Sequence, residues 1–388
     1  MYTKLKDNSY FQTLLTLILG ACVGALTFLF VNLLSSINAT QANLNLQTPF
    51  HLLLIPFIFI FLWLARRNSL YFPTKISELS AGPVSFYWSK MMWPFHFVGT
   101  LLSHASGVSV GREGAVVLFS SALTRIFKLP WNFWGPILAS IGFSSVLGNY
   151  WVAPIFMTEV FASTRLLQKL YAFIGAVVAV LTTRQLGMPH LFAQIEFTDD
   201  IGFFMKFVVL LSFALCVGYI MRVYKYLHKK LISYFFNTNL LVKIFVCFGL
   251  MVILYWPQFR HLQSLGLSQI YDLNSLQPSL LDSFLKLSLT LVVTSLSFAG
   301  GEFIPLVYSG VNFGGHFFSA WGYNMQLGAA IGAFLMFASG TRLMWTSYVL
   351  MIAFLGWEWW FWVYFVLSTA IGFSGDLSLY KSESDISV

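Results

Sequence analysis

Two glutamates stand among glycines at the head of apolar runs, and their residue types suit chemistry with small ions. Glu113 lies in the stretch 110–115, VGREGA, and Glu302 lies in the stretch 300–305, GGEFIP. Glycine lets the backbone turn tightly and approach a ligand closely. A helix that begins there aims its N–H groups and its positive dipole end at the motif. Each motif therefore predicts an anion site at a helix start, with a carboxylate that competes for the same donors.

The composition of the chain is that of a membrane protein. Hydrophobic residues make up 58% and charged residues 9%, against roughly 25% charged residues in a soluble domain. The formal charge of +8 comes from basic residues at the ends of apolar runs rather than from one patch, so no nucleic-acid partner is predicted. The three cysteines are far apart and lack metal-ligand spacing. We predict a multi-pass membrane protein in contact with the lipid bilayer, without a metal or cofactor.

Apolar runs and basic residues predict how the chain enters the membrane. The first run, 11–34, is too long for a signal-peptide core and is predicted to be a retained helix. Lys4 and Lys6 precede this run. After a polar loop at 35–49, a second run, 52–65, ends on Arg66 and Arg67. Two crossings return the chain to the same side, so both termini are predicted to be cytoplasmic. Several later runs are roughly ten to fifteen residues long, and because an upright span needs about 20, tilted or broken helices are expected around a polar cavity.

The two halves of the chain have opposite predicted orientations. An acidic cluster at 196–200 precedes the run 203–220, which ends on basic residues between Arg222 and Lys230. The acidic residues before this run place its start outside the cell, and the basic residues after it place its end inside. The first run is predicted to cross in the reverse direction. Glu113 and Glu302 occupy corresponding places in the halves, and matched broken helices indicate a midplane substrate site. The predicted segments are a cytoplasmic N-terminus at 1–10, inverted halves at 11–195 and 196–375, and a short cytoplasmic tail at 376–388 without a soluble domain.

These motifs resemble those of the CLC family of anion channels and proton-coupled anion antiporters. The stretch 111–114, GREG, matches the family's glycine–basic–glutamate–glycine motif, and 300–305 with the glycines at 310, 314 and 315 matches its second glycine motif. The segment Gly148 to Val160 is similar to the helix between them. The resemblance implies an all-α membrane fold, a CLC-type inverted repeat of tilted and broken helices. It also implies a homodimer in which each subunit has its own pore.

Within that family the chain is most similar to the fluoride/proton antiporter branch. Glu302 directly after the two glycines, the segment around His104 and the tail up to Tyr380 carry this resemblance. Val160 stands where proton-coupled chloride transporters tend to have an inner proton-transfer glutamate. The chain departs from the family pattern in three places: no first anion loop is readable in 70–83, Ile304 replaces a hydroxyl residue, and 341–350 lacks an Asn-Thr-Pro sequence.

The resemblance assigns roles to named residues. Gating and proton transfer fall to Glu113 and Glu302. The predicted anion-binding residues are Gly111, Arg112, Gly114, Glu302, Phe303, Ile304 and Tyr380, with the backbone N–H groups of Glu302 and Phe303 as donors.

Each role has a plainer alternative. Glu113 could pair structurally with Arg112, although adjacent residues at a helix start do not face each other well. Glu302 could be a helix N-terminal acid favoured by the dipole, and Tyr380 an interfacial anchor. Glu159 is predicted to be a structural acid.

The predicted function is export of fluoride by a proton-coupled antiporter in a bacterial inner membrane, with a gating glutamate that competes with the anion. A CLC-type chloride channel or chloride/proton antiporter is the first alternative, and a transport-inactive structural relative is the second. An enzyme is not predicted, because an enzyme needs a nucleophile–base or metal constellation. The chain contains neither Gly-x-Ser-x-Gly nor His-Glu-x-x-His.

Overall fold

The computed structural model describes residues 9–47, 50–68, 76–80, 92–161, 163–188, 201–266, 270, 273 and 276–380. Several sequence predictions fall on other residues. The N-terminal lysines, the acidic cluster at 196–200 and the tail after 380 lie outside the described residues, as does most of the predicted anion loop at 70–83. The placement of these segments stays a prediction.

The described residues form α-helices joined by turns and three short 3-10 segments. The helices of the first half are α1 (Ser9–Gln47), α2 (Leu54–Asn68), α3 (Ile76–Ser80), α4 (Met92–Ala105), α5 (Glu113–Ile126), α6 (Trp131–Leu147), α7 (Val152–Val160) and α8 (Leu166–Gln185). Those of the second half are α9 (Phe203–Asn237), α10 (Leu240–Tyr255), α11 (Leu280–Ser295), α12 (Phe303–Ala320), α13 (Met325–Thr341), α14 (Met344–Leu355) and α15 (Trp360–Phe373).

Helix lengths agree with the prediction of a membrane fold with many short helices. Among the described residues, helices α1, α8 and α9 are long and apolar enough to cross a bilayer. Others are much shorter; α5 has 14 residues, or about 21 Å at 1.5 Å per residue, against about 30 Å of hydrocarbon. The all-α membrane fold is therefore confirmed, and the chain is an integral multi-pass membrane protein.

The two halves pack their helices in the same pairs. Helix α1 contacts α4, α6 and α8, and α9 likewise contacts α11, α13 and α15. Helix α5 packs between α4 and α6, as α12 packs between α11 and α13. This matching is what an inverted repeat requires; the repeat and its boundary near residue 195 stay predictions.

Close helix packing depends on glycine where α12 crosses α13. A Cβ on Gly310 would lie 2.1 Å from the carbonyl oxygen of Gly332, and one on Gly314 would lie 2.0 Å from that of Gly328. Small residues four positions apart on both helices let the backbones touch, as in other membrane helix pairs. The contact holds α12, and hence its N-terminus, firmly in place.

The predicted loop at 35–49 was wrong, and a second helix extends beyond its apolar run. Helix α1 continues through the predicted loop at 35–49 as far as Gln47, because its polar side chains bond back to the preceding turn: Ser35 and Ser36 donate to the carbonyls of Val31 and Asn32. Helix α9 does not end at 220 but at Asn237. No glycine or proline interrupts its basic segment, and lysine and arginine are good helix formers.

The chain is also divided between residues 151 and 166, a mostly apolar stretch of the sequence. Helix α7 ends at Val160, and α8 begins at Leu166 after Arg165. The backbone N–H of Arg165 donates to Gln168 Oε1 at 2.8 Å, so the start of α8 is capped by its own side chain. The apolar character of the run therefore conceals a helix boundary.

Candidate functional site

The two glycine motifs meet at the centre of the fold. The N–H of Gly111 donates to the carbonyl of Gly301 at 2.5 Å, and the N–H of Gly301 donates to that of Gly111 at 2.6 Å. This isolated antiparallel bridge joins the segments that lead into α5 and α12. Both helices therefore begin beside the bridge, and their unpaired N–H groups and positive dipole ends converge there.

Glycine is required at this bridge because the backbones touch. A Cβ on Gly114 would lie 2.9 Å from the Cα of Gly301, and one on Gly301 would lie 2.8 Å from the nitrogen of Gly114. Gly300 has a φ of +145°, a conformation that side chains rarely adopt. The motifs that the sequence pairs by position are therefore in direct contact.

Glu113 is the first residue of α5 and is fully buried. Its Oε1 lies 3.2 Å from Nε of Arg112. Its Oε2 lies 3.3 Å from the place that a Cβ on Gly111 would take. The carboxyl group is thus turned back over the start of its own helix, in the region where an anion would approach the amides.

The pairing of Glu113 with Arg112 corrects one sequence argument. Adjacent residues were expected not to face each other, yet their side chains are in contact. Arg112 is the N-cap residue of α5 and precedes the regular helix surface to which the spacing rule applies. Its long side chain can therefore fold over the first turn.

Glu302 is the N-cap residue of α12 and so lies one position earlier than Glu113 does in its helix, in a different environment. Its Oε1 lies 3.2 Å from Nε2 of His228 on α9. The same Nε2 lies 3.1 Å from the hydroxyl oxygen of Thr294 on α11. Sequence analysis missed His228, because it lies within the basic segment of α9 and no local spacing connects it to Glu302.

The predicted amide donors lie at the N-terminal end of α12. The first backbone bond of that helix runs from the N–H of Leu306 to the carbonyl of Glu302 at 3.0 Å, so the amides of Glu302 and Phe303 precede the regular ladder. The amide of Gly111 is used by the bridge. Phe303 and Ile304 are both fully buried, and the ring of Phe303 packs edge-on against Phe337 at 4.5 Å.

Tyr380 approaches the same place from the end of the chain. It is 4% exposed, and its hydroxyl oxygen has no hydrogen-bond partner among the described residues. A cavity brings it together with two other predicted site residues, and its lining includes Gly114, Glu302, Tyr380, His228, Thr294 and Leu118. A buried hydroxyl without a partner is costly, and a bound anion would satisfy it.

Lys225 of α9 positions the segment that carries Tyr380. Its buried ammonium donates to Ser339 O at 3.1 Å, to Ser374 Oγ at 3.0 Å and to Leu377 O at 2.7 Å. The N–H of Leu379 donates to the carbonyl of Gly340 at 3.2 Å. Sequence analysis treated Lys225 as one of several basic residues at a helix end, and nothing in its spacing distinguished it.

Lys286 is a second buried cation that sequence analysis missed. It lies on α11, is fully buried and donates to the carbonyls of Leu262 at 2.8 Å and Ser264 at 2.6 Å. The hydroxyl of Ser264 lies 3.0 Å from Nδ1 of His104. A lone lysine within an apolar run was a usable signal, since charged residues within membrane helices are rare and have partners.

Glu159 has the contacts that a structural acid would make. Its two carboxylate oxygens accept from the N–H groups of Trp345 at 2.9 Å and Thr346 at 2.8 Å. Both donors belong to the first turn of α14, where a negative charge is favoured by the helix dipole. The acid beside Val160 therefore connects the two halves of the fold.

Comparison with known proteins was made at the level of sequence and of structure. A family model described as "Voltage gated chloride channel" matches residues 73–375. A "Chloride/fluoride channel protein" of Pseudomonas syringae pv. tomato (strain ATCC BAA-871 / DC3000) is 37% identical over 103 residues, which are 25% of this chain and 22% of that protein. The aligned part thus spans less than a quarter of that relative's length.

Solved structures share the fold over nearly the whole chain. A CLC-type fluoride/proton antiporter superposes with a TM-score of 0.81 at 22% identity, covering 97% of this chain and 100% of the other. A slow cyanobacterial Cl⁻/H⁺ antiporter gives 0.78 at 17% identity, covering 95% and 96%. The matched glycine motifs, the helix order and the family model agree, and the chain belongs to the voltage-gated chloride channel (CLC) family.

Proposed function

We propose that this chain is a proton-coupled anion antiporter that exports fluoride, with Glu113 as its gate. The observation that carries the proposal is the position of the Glu113 carboxyl group, buried and turned back over the converging starts of α5 and α12. A charged carboxylate there occupies the region that an anion needs. Protonation removes the charge, and the anion then takes the amide donors.

The anion site would combine three kinds of contact. Backbone N–H groups of Glu302 and Phe303 lie at the start of α12, where the dipole favours negative charge. The hydroxyl of Tyr380 is buried in the same cavity without a partner among the described residues. Fluoride is strongly hydrated, so its site must replace the lost water with close donors, and this convergence supplies them.

A chloride channel or chloride/proton antiporter is the second candidate. Converging amides bind chloride as well as fluoride, and fully buried Ile304 offers no hydroxyl to either. A solved structure of the same fold is described as a Cl⁻/H⁺ antiporter. The preference for fluoride or for chloride therefore distinguishes the two candidate functions.

Anion efflux from liposomes that contain the purified protein tests the proposal. Fluoride-loaded and chloride-loaded vesicles are compared, and external pH is recorded throughout. The proposal expects faster fluoride efflux, accompanied by proton entry. Chloride efflux at an equal or greater rate supports the second candidate. Anion flux without proton movement would exclude an antiporter mechanism.

Assembly and orientation form part of the proposal: a homodimer in a bacterial inner membrane with both termini cytoplasmic. Helices α7 and α14 contact each other, and the nearby tryptophans Trp151 and Trp345 are more than half exposed, at 54% and 51%. This aromatic surface could meet a second copy or lipid. Cross-linking in membranes should give a dimer, and monomer alone would contradict it.

Cysteine labelling tests the orientation. An impermeant external reagent should react with Asp199→Cys and not with Lys229→Cys. The opposite result would invert the topology without affecting the site.

A further inference from the structure

We infer that His228 and Glu302 form a proton-transfer pair that connects the anion cavity with the predicted cytoplasmic end of α9. This inference rests on the proposed antiport function and adds a residue to it. The paired atoms are Nε2 of His228 and Oε1 of Glu302, 3.2 Å apart. Both side chains are nearly buried, and both line the cavity that contains Tyr380.

The hydrogen-bond network assigns a proton to Nε2 of His228. The hydroxyl of Thr294 donates to the carbonyl of Thr290 at 2.8 Å, which uses its only proton. Its oxygen, 3.1 Å from Nε2, can then only accept from the histidine. Nε2 is therefore a donor that faces two acceptors, the Thr294 oxygen at 3.1 Å and the Glu302 carboxylate at 3.2 Å.

The position of His228 along α9 gives the pair a direction. His228 lies about 38 Å from Phe203 at 1.5 Å per residue, which exceeds the roughly 30 Å of bilayer hydrocarbon. Lys229 and Lys230 follow it and are exposed, at the end of α9 that the sequence predicts to be cytoplasmic. His228 is therefore the member of the pair that lies on the helix leading to the predicted cytoplasmic surface, and Glu302, in contact with it, is the member next to the central bridge.

The other groups close to His228 are two tyrosines, a threonine hydroxyl and a lysine that is already hydrogen-bonded. Tyr224, one turn earlier on α9, stacks on the imidazole at 6.1 Å between ring centroids, and Tyr380 lies across the cavity. Helix α11 contributes the hydroxyl of Thr294. The ammonium of the nearby Lys225 is bonded to oxygens of the segment 374–377 and of Ser339. Glu302 is the facing carboxylate among the described residues.

The transfer step balances as a simple proton exchange. In the direction of fluoride export, protonated Glu302 gives its proton to Nε2 of a neutral His228 that carries its own proton on Nδ1: the O–H bond breaks, an N–H bond forms, and the ring becomes an imidazolium. Water from the predicted cytoplasmic side then takes the proton from Nε2 as hydronium, which restores the neutral ring. Histidine suits this step because its ordinary pKa of about 6.5 places both forms near neutral pH.

His228→Gln tests the pair in liposomes that report anion and proton fluxes together. Gln can still donate a hydrogen bond to Glu302 but cannot take up or release a proton. We therefore expect proton flux to fall at least about tenfold, which is less than the usual effect of removing an acid–base group. The wild-type dependence of proton flux on inner pH should have an inflection that disappears in the variant.

The chain offers a matched control. His261 Nε2 lies 3.0 Å from Asp282 Oδ1, in a pair whose histidine is 40% exposed. His261→Gln removes a histidine–carboxylate pair of similar geometry and should leave proton flux and its pH profile unchanged. A similar loss in both variants would overturn the inference, since the effect would then not be specific to the cavity.

The remaining outcomes separate the inference from the proposed function. If the wild-type protein moves anions without protons, the antiport function fails and the inference fails with it. If the wild type couples the two and folded His228→Gln keeps the wild-type ratio and pH profile, the inference alone fails. Should His228→Gln not fold, imidazole ¹⁵N signals of the wild-type protein decide: His228 must titrate between about pH 5 and 8, and a ring that stays neutral overturns the relay.

Discussion

The two glycine–glutamate motifs have similar sequences and different surroundings. Glu113 is fully buried and contacts its sequence neighbour Arg112. Glu302 is 8% exposed, lines a cavity and contacts His228 from a separate helix. Both begin a helix beside the same backbone bridge. The common sequence provides a carboxylate at a helix start in both cases. The neighbouring helices determine which side chain contacts that carboxylate.

This difference supports a division of labour between the two glutamates. In the proposed function Glu113 is the gate, because its carboxyl group lies over the helix starts that an anion would approach. Glu302 is the proton-transfer group of the same proposal, because a histidine and a cavity adjoin it.

Glu113→Gln should have the largest effect. Gln is nearly isosteric and cannot ionise, so it imitates the protonated gate permanently. We expect proton movement to fall at least about a hundredfold, as for loss of an essential acid–base group, while anion binding survives because the amide donors remain. Paired anion and pH recordings on liposomes measure both, with exposed Glu358→Gln as the control. Proton pumping at the wild-type rate would exclude Glu113 as the gate.

Glu302→Gln should also impair proton coupling, by at least about tenfold, because the amide can no longer exchange a proton with His228. Asp282→Asn provides the control, since Asp282 has a comparable histidine contact at 3.0 Å and is not part of the cavity lining. The ratio of protons to anions is the quantity to compare. An unchanged ratio in Glu302→Gln would return Glu302 to the role of a dipole-favoured helix acid.

Gly301→Ala should destabilise the whole site rather than one function. The new Cβ would lie 2.8 Å from the backbone nitrogen of Gly114, and overpacking of this kind typically costs 1–3 kcal/mol. Thermal unfolding in detergent measures the loss. Gly249→Ala is the matched control, because nothing lies within 4 Å of a Cβ at that helical position; it should be neutral or slightly stabilising. Equal stabilities would contradict the backbone contact.

Glu159→Gln should have the smallest effect. Its carboxylate caps the first turn of α14, and a lost cap or dipole contact costs about 1 kcal/mol. Gln keeps one acceptor oxygen, so Tm should fall by at most a few degrees and proton coupling should be unchanged. A loss of coupling at full stability would assign Glu159 to transport.

Sequence reasoning predicted the pairing of the two glycine motifs more reliably than it predicted the ends of helices. The glycines and glutamates of both motifs are conspicuous in an apolar chain, and the structure brings them into contact at Gly111 and Gly301. Helix ends were less predictable. The polar residues after 34 satisfy their hydroxyls within α1, and apolar character alone does not reveal the break before α8. Such ends depend on individual hydrogen bonds rather than on average hydropathy.

The sequence by itself determined that this chain lies in a membrane, that two helices begin at glycine–glutamate motifs, and that a carboxylate stands at each. Those properties follow from composition and from residues that are adjacent in the chain. Only the tertiary structure decided which distant groups serve the motifs. His228 and Thr294 are 66 positions apart, and Lys225 and Ser374 are 149 apart. No local pattern records such pairs, because they arise from how helices pack.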